Sequence, residues 1–297
     1  MLPIKPAFSP VNICCACNEN YAKPLAVCLY SLLCNANKSR LYDIVILHSD
    51  ITPESQKPLL KLAEHFPCCS IQLVDMSDFR QSVKHCFRSY ITAETNYRLA
   101  ILGELFAEYD RVLYLDCDTI VEGDISELFD TDLCGNAVGG AKAVDIGILR
   151  YTKKGFFVDG YPYNIEGYAK NFMGIESLDR YFNAGVTLFD LKKCREITSA
   201  DAAVELLNSR QWMYNDQDVL NMLFKDSIHN FDLKWNYTVN IELEPIVSDP
   251  KIRQLIADAR RSKYGVIHYS GTKPWKGNAP LGEHYHKYET YLKEEIL

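Results

Sequence analysis

The sequence lacks any long hydrophobic run. No stretch approaches the roughly 18 to 20 apolar residues that span a bilayer, and the interrupted apolar run over residues 1–22 does not predict a signal peptide. Positive charge is also in deficit, with 32 Lys and Arg against 39 Asp and Glu and a net charge of -7. Because an acidic chain repels phosphate backbones, the composition argues against nucleic acid as a partner.

Internal repeats, low-complexity linkers and a second cysteine pair at zinc-finger spacing are also absent. The 11 cysteines are an odd number, and most lie in apolar runs, where a thiol acts as a small hydrophobe. Because no secretory signal is predicted, these cysteines are expected to be free thiols, and a location in the reducing cytoplasm is favoured for the protein. The 297 residues are 47% hydrophobic and 24% charged, as in a globular protein. We expect a single domain over 1–297.

Short apolar runs alternate with longer helical patterns in the first part of the chain. This alternation predicts an α/β fold, with a mostly parallel sheet flanked by helices. Sheets of this kind bind ligands at the carboxyl ends of their strands. Buried strands are predicted at 11–17, 42–48, 70–76 and 111–116, with helices at 24–36 and 53–66.

The alternation stops at about residues 146–180, which are rich in Gly, Tyr and Lys. We interpret this stretch as a long loop or helical excursion, and loops of this length are usually functional or disordered. Regular structure resumes with an apolar run at 180–191, a helix at about 191–208 and a helix around 216–224.

Two carboxylates follow the predicted strand at 111–116. Asp116 and Asp118 are two residues apart, so both point to one side of an extended chain. Two close carboxylates repel each other, and a divalent cation is their natural counter-charge. A metal there would bridge to a diphosphate and neutralise it as a leaving group. The same motif alone is more often a solvated acidic turn.

Three further segments carry polar groups of the kinds that bind a metal or a sugar. His268 is a candidate third ligand that favours Mn²⁺ over an all-oxygen Mg²⁺ site. Lys273 is a candidate phosphate contact, and Gly271 permits close backbone approach. Asp216 and its neighbours open a predicted helix, where a helix cap is the simpler interpretation. Asn183 precedes an apolar strand and is a candidate contact to a sugar hydroxyl. Each of these segments, alone, is compatible with an ordinary strand end or turn.

Taken together and in order, these segments resemble glycosyltransferase family 8, and especially the bacterial lipopolysaccharide α-galactosyl- and α-glucosyltransferases. The resemblance runs from about residue 11 to 275. It implies a GT-A fold with a mixed sheet, a UDP-sugar donor, Mn²⁺ as the usual metal and retention of anomeric configuration. The segments that carry it are 12–22, 96–105, 111–130, 181–191, 215–224 and 268–275.

The resemblance also implies roles for individual residues. Asp116, Asp118 and His268 match the metal ligands. Asp145, Asp216 and Gln217 match positions beside the transferred sugar, where catalytic groups lie. The positions that match donor contacts are Ala16, Asn18, Asn20, Tyr21, Arg98, Asp116, Asn183, Gly271 and Lys273.

One residue departs from the family pattern, and the division of the domain and the partners are expectations that rest on the family. Asn18 stands where close relatives often have Asp, although an Asn amide can still bond the edge of uracil. The division into a donor-binding part (about 11–145) and an acceptor-side excursion (about 146–180) rests on the family alone. The expected partners are UDP-glucose or UDP-galactose and a glycan or glycolipid acceptor. The expected location is the cytoplasm, with peripheral contact at the inner membrane face compatible with a lipid-linked acceptor.

Alternatives to a transferase remain at this level. One is a metal-dependent sugar-nucleotide hydrolase; a nucleotidyltransferase fits less well, because the segment 12–22 lacks a Gly-rich basic phosphate loop. Another is a non-catalytic UDP-sugar binding protein. A third is self-glucosylation on one of the 19 tyrosines.

Overall fold

We describe the protein from a computed structural model, over residues 2–5, 10–83, 92–152, 155–242 and 250–297. In these residues the strands form sheets of seven, three and two strands. In chain order the strands are β1 (Val11–Ala16), β2 (Tyr42–His48), β3 (Cys69–Asp75), β4 (Arg111–Leu115), β5 (Thr119–Val121), β6 (Val138–Lys142), β7 (Phe156–Val158), β8 (Tyr161–Tyr163), β9 (Phe182–Asp190), β10 (Ile228–Phe231), β11 (Tyr237–Thr238) and β12 (Val266–His268).

Helices cover the sheet and connect its strands. The α-helices are α1 (Ala22–Cys34), α2 (Pro53–His65), α3 (Ser77–Ser82), α4 (Ile125–Phe129), α5 (Val144–Thr152), α6 (Ile165–Gly167), α7 (Leu191–Ile197), α8 (Ala200–Asn208), α9 (Asp216–Leu223), α10 (Pro250–Arg261) and α11 (Gly282–Glu295). A π-helical turn follows α6 at Tyr168–Phe172. Short 3₁₀ segments lie at Glu19–Tyr21, Ala93–Leu102, Glu104–Phe106, Leu178–Arg180, Leu233–Asn236, Val239–Glu242 and Pro274–Lys276.

The seven-stranded sheet has the order β10-β6-β9-β4-β1-β2-β3. All its neighbours pair in parallel except β9, which is antiparallel to both β4 and β6. The predicted α/β class is therefore confirmed, and so are the four strands and two helices predicted in the first part of the chain. At α2, the Thr52 side chain caps the helix by accepting a hydrogen bond from the Ser55 amide, as its position before Pro53 indicates.

The strand order reverses between β1 and β4, because β2 and β3 lie on one side of β1 and β4 lies on the other. Ile13 pairs with Leu113 and Cys14 with Tyr114, so the carboxyl ends of the two strands are level. The loop after β1 and the turn after β4 consequently lie side by side. Such a switch point is where open α/β sheets bind ligands.

The small sheet brings a distant segment to the same place. In it, β12 is antiparallel to β5, and His268 pairs with Thr119. The Tyr269 amide also donates to the Asp118 carbonyl at 2.8 Å. This pairing sets the end of β12 beside the turn that follows β4.

Two details differ from the sequence predictions. The helix predicted at about 191–208 is two helices, α7 and α8. Thr198 is extended, and the Ser199 side chain starts α8 by accepting a hydrogen bond from the Ala202 amide. The stretch at 146–180, predicted as a long loop or helical excursion, does contain helices in its described residues, namely most of α5 and α6, but it also contains the β7–β8 hairpin, which was not predicted.

Among the described residues, none of the helices is both long enough and apolar enough to cross a membrane.

Candidate functional site

A cleft of about 1360 Å³ opens at the carboxyl ends of β1 and β4. Every site residue predicted from the sequence lines it, although the segments that supply them are scattered along the chain. These residues are Ala16, Asn18, Asn20, Tyr21, Arg98, Asp116, Asp118, Asp145, Asn183, Asp216, Gln217, His268, Gly271 and Lys273.

Three potential metal ligands converge in this cleft. Asp116, Asp118 and His268 each offer a ligand atom, and these atoms lie within 4.8 Å of one another. His268 Nε2 is 3.3 Å from Asp118 Oδ1 and 3.7 Å from Asp116 Oδ2. Two carboxylates and one imidazole form a donor set suited to Mn²⁺ or a similar divalent ion.

The histidine of this cluster is oriented from behind. His268 Nδ1 lies 2.8 Å from Asn236 Oδ1. The Asn236 amide nitrogen donates to Asn183 Oδ1 at 3.0 Å, which assigns its oxygen to the histidine. Nδ1 therefore carries the proton, and the lone pair of Nε2 faces the two carboxylates, as metal coordination requires.

Gly185 lies against two of the three potential metal ligands. A Cβ at this position would lie 2.3 Å from His268 Cε1 and 2.8 Å from Asp116 Oδ2. The Gly185 carbonyl also accepts a hydrogen bond from the Asp116 amide at 2.8 Å, which holds the strands together there. The residues present thus fit a small divalent cation, because donors of the right type converge here and glycine at 185 lets His268 and Asp116 approach each other.

Lys273 is a cation of the same cluster. Its ammonium group contacts Asp118 Oδ2 and donates to the Tyr269 carbonyl at 2.7 Å. Burial alone would raise the pKa of Asp118, but the adjacent charge of Lys273 outweighs it and holds that pKa far below its usual value. Asp118 is therefore ionised at neutral pH, as a metal ligand must be.

Arg98 connects this cluster to the rest of the cleft. Its side chain is 2% exposed, with Nη2 2.8 Å from Asp116 Oδ1 and Nε 2.7 Å from Asp216 Oδ2. The guanidinium also donates to the Ala184 carbonyl and stacks on the Tyr114 ring, with 4.2 Å between Cζ and the ring centroid. The family resemblance predicted that Arg98 contacts the sugar-nucleotide donor. The structure adds that Arg98 links Asp116 and Asp216, which come from distant segments of the chain.

The acids deeper in the cleft are desolvated. Burial raises the pKa of Asp216 to about 7, although Arg98 opposes that shift. Removal from water also raises the pKa of Asp145. Next to Asp216, Gln217 accepts a hydrogen bond from the Ala184 amide at 3.0 Å and places its NH₂ group 3.3 Å from the Tyr181 hydroxyl. Both ends of the Gln217 amide are therefore held.

The loop after β1 contributes polar and aromatic groups to the cleft. Tyr21 is half-buried, and its ring meets the Trp275 ring edge-on, with 5.7 Å between centroids. Asn18 is buried and donates to Glu94 Oε2 at 3.1 Å. A flat apolar ring beside buried hydrogen-bonding groups is a suitable site for a nucleotide base.

Sequence reasoning missed Asn236, Glu94 and Trp275. Asn236 follows a tryptophan in a short 3₁₀ segment, and Glu94 is the second residue of another, so neither belongs to a spacing typical of ligand binding. Trp275 stands in the same segment as Lys273, and its nearness to Lys273 was the one available signal.

Known proteins share this architecture. The galactosyltransferase LgtC, crystallised in complex with donor and acceptor sugar analogues, superposes with a TM-score of 0.72 and is 27% identical, over 94% of this chain and 95% of that one. The fold and the site define a glycosyltransferase of the GT-A type. The chain belongs to glycosyl transferase family 8, whose model matches residues 12–279. The predicted family and fold are both confirmed.

Two curated relatives extend the comparison. General stress protein A of Bacillus subtilis is 25% identical over 95% of this chain and 94% of its own length. The lipopolysaccharide 1,2-glucosyltransferase of Escherichia coli K12 is 28% identical over 89% of this chain and 72% of its own length.

Proposed function

We propose that the protein transfers a hexose from UDP-glucose or UDP-galactose to a hydroxyl of a glycan or glycolipid acceptor, with retention of anomeric configuration. The observation that carries this proposal is the cluster of Asp116, Asp118 and His268 at the switch point of the sheet. Relatives that act on lipopolysaccharide support the acceptor class. The free thiols of the described cysteines fit a cytoplasmic location.

We assign the metal site to these three residues and propose Mn²⁺ as its ion. A bound divalent ion supplies positive charge that neutralises a diphosphate leaving group. Gly185 and the oriented His268 support the assignment.

The chain's own cations act beside this site. Lys273 presents its ammonium group next to Asp118, where it stabilises negative charge on the departing diphosphate. Gly271 lines the cleft with φ +93°, and a Cβ there would lie 2.7 Å from Asn240 Nδ2, so both the backbone conformation and the space favour glycine at this proposed diphosphate contact.

The sugar is placed by Asn183, Asp216 and Gln217. Gln217 is the proposed neighbour of the anomeric carbon, on the face opposite the leaving group. Its amide is a poor nucleophile, and both its ends already make hydrogen bonds. This supports attack by the acceptor on the same face as departure, with the departing phosphate oxygen taking the acceptor's proton. A trapped glycosyl-enzyme adduct would overturn that route.

The first test is UDP release from a panel of UDP-sugars, with and without Mn²⁺ and with EDTA. We expect metal-dependent release from UDP-glucose or UDP-galactose, and a loss of about 100-fold or more in Asp118→Asn, because charge stabilisation of this kind is worth several kcal/mol. Asp110→Asn is the matched control, since Asp110 is exposed and lies at the opposite end of β4.

Near-normal turnover in a folded Asp118→Asn variant would refute the metal site. Stimulation of UDP release by simple sugars separates a transferase from a hydrolase. Tight UDP binding without turnover on any donor or acceptor would favour a binding protein instead.

A further inference from the structure

Asn18 and Glu94 form a buried hydrogen-bonded pair in the cleft. The family resemblance concerns Asn18 alone and assigns no role to Glu94. Asn18 is 8% exposed, Glu94 is 5% exposed, and both line the cleft. Asn18 Nδ2 donates to Glu94 Oε2 at 3.1 Å, while Asn18 Oδ1 is buried with no hydrogen-bond partner. A buried acceptor without a partner is destabilising, so a ligand that donates a hydrogen bond to it would be favoured.

Glu94 decides which way the Asn18 amide faces. A primary amide has nearly the same shape in its two orientations, one presenting oxygen and the other nitrogen. Turned the other way, the amide would set its oxygen against the Glu94 carboxylate, where two acceptors repel. Arg80 Nη1 lies 3.7 Å from the other Glu94 oxygen and helps to hold that carboxylate in place. Glu94 therefore fixes the orientation of the Asn18 amide, and Arg80 supports Glu94.

This orientation distinguishes two bases of the same shape. Uracil carries an N–H at ring position 3, whereas cytosine carries a lone pair there. An amide fixed with its oxygen toward the base accepts a hydrogen bond from uracil and repels cytosine. A freely rotating amide would serve both bases, because it could turn its NH₂ group toward cytosine.

We propose that Glu94 is a specificity-determining residue, which holds the Asn18 amide so that the site selects uridine over cytidine nucleotides. The inference rests on the proposed function, because it takes the donor's base to lie against Asn18. Glu94 acts through Asn18 and is a positioning residue. In this chain the pair does what an aspartate at position 18, an acceptor in either orientation, would do alone.

The test is the ratio of UDP to CDP affinity, measured by isothermal titration calorimetry on the full chain with Mn²⁺. We expect the unaltered protein to prefer UDP. Glu94→Gln should reduce that preference about tenfold, because a neutral partner fixes the amide less strongly than a carboxylate does. Glu104→Gln, a neighbouring exposed glutamate, should leave the ratio unchanged.

A double variant, Asn18→Asp with Glu94→Gln, separates orientation from a structural role. The introduced carboxylate accepts a hydrogen bond whichever way it turns, and the glutamine amide can donate to it, so the preference for UDP should return. An unchanged ratio in Glu94→Gln would overturn the inference, as would an equal loss of UDP and CDP binding that the double variant does not restore. If Glu94→Gln fails to fold, a double variant that does not prefer UDP overturns it as well.

Different results would contradict the proposed function and this inference. Selective UDP binding that depends on Glu94, without hexose transfer to any acceptor, would refute the transferase and leave this inference standing. Hexose transfer from a UDP-hexose, combined with equal affinities for UDP and CDP, would support the transferase and refute this inference.

Discussion

Arg98 donates to Asp116 across 2.8 Å while its own side chain is almost completely buried. The same guanidinium contacts Asp216 and the Ala184 carbonyl, so one cation holds three segments in register. Arginine suits this position because its planar group has several donors in a fixed geometry. Its removal should therefore affect both stability and activity.

Arg98→Lys is expected to lower the free energy of unfolding by about 3 kcal/mol, because an ammonium group cannot serve both acids and leaves a buried carboxylate unpaired. Urea denaturation measures the change. Arg150→Lys, on the exposed pair with Glu166, should change stability by less than about 0.5 kcal/mol. Equal effects of the two substitutions would contradict the linking role of Arg98.

Gly185→Ala is expected to abolish metal-dependent activity with little change in overall secondary structure. The added methyl group would overlap the imidazole of His268 and crowd Asp116 Oδ2, so two of the three proposed metal ligands would have to move. The measurement is Mn²⁺ binding by calorimetry together with UDP release. Gly155→Ala is the control, because a Cβ there meets only the Tyr163 carbonyl at 3.6 Å. Retention of Mn²⁺ binding in Gly185→Ala would place the metal elsewhere.

Asn236→Ala removes the group that orients His268. Outer-shell partners of this kind contribute about 10- to 100-fold to metal affinity. We expect a weaker apparent affinity for Mn²⁺, with activity partly recovered at high Mn²⁺ concentration. Asn230→Ala, in the edge strand β10, should leave the Mn²⁺ titration unchanged. A variant that loses activity at every Mn²⁺ concentration would show that Asn236 does more than position the ligand.

The buried Asp216 predicts how stability changes with pH. Its pKa is about 7 in the folded protein and about 4 in an unfolded chain. Between these values the folded state binds more protons, so this residue stabilises the fold below pH 4, and its contribution disappears as pH rises to 7. Burial raises the pKa of Asp145 and Asp218 too, so they act in the same direction.

Unfolding free energies at pH 4.5 and pH 7.5 test this, in the unaltered protein and in Asp216→Asn. We expect a smaller decline with rising pH in the variant, because it has lost one titrating group. Asp110→Asn should match the unaltered protein. A decline in Asp216→Asn as steep as in the unaltered protein would contradict the assigned pKa.

The sequence predicted the parts of the site that are contiguous. A strand that ends in Asp116 and Asp118 is a local pattern, and strand, helix and turn follow from periodicity over a few residues. One exception was the helix predicted at about 191–208, where Ser199 starts a second helix. Serine is a recognisable helix cap. The apolar residues before and after Ser199 nevertheless follow a helical spacing, so this spacing did not reveal that one helix ends and another begins there.

Contacts between distant segments were beyond single-sequence reasoning. The hydrogen bond from Asn236 to His268 and the one from Asn18 to Glu94 depend on how strands and 3₁₀ segments dock, and neither Asn236 nor Glu94 stands in a diagnostic spacing. The antiparallel insertion of β9 between β4 and β6 was likewise hidden, because a buried strand has the same apolar pattern in either direction.

The distance along the chain between Asp118 and Lys273 has a consequence during synthesis. These partners are 155 residues apart, so their contact closes a long loop, and it cannot form before the chain has been made as far as Lys273. A ribosome must extend the chain past His268 before the three metal ligands exist together. Metal binding at this proposed site would therefore require a chain that extends past β12, because nascent or truncated products that end earlier lack His268 and keep only the two carboxylates.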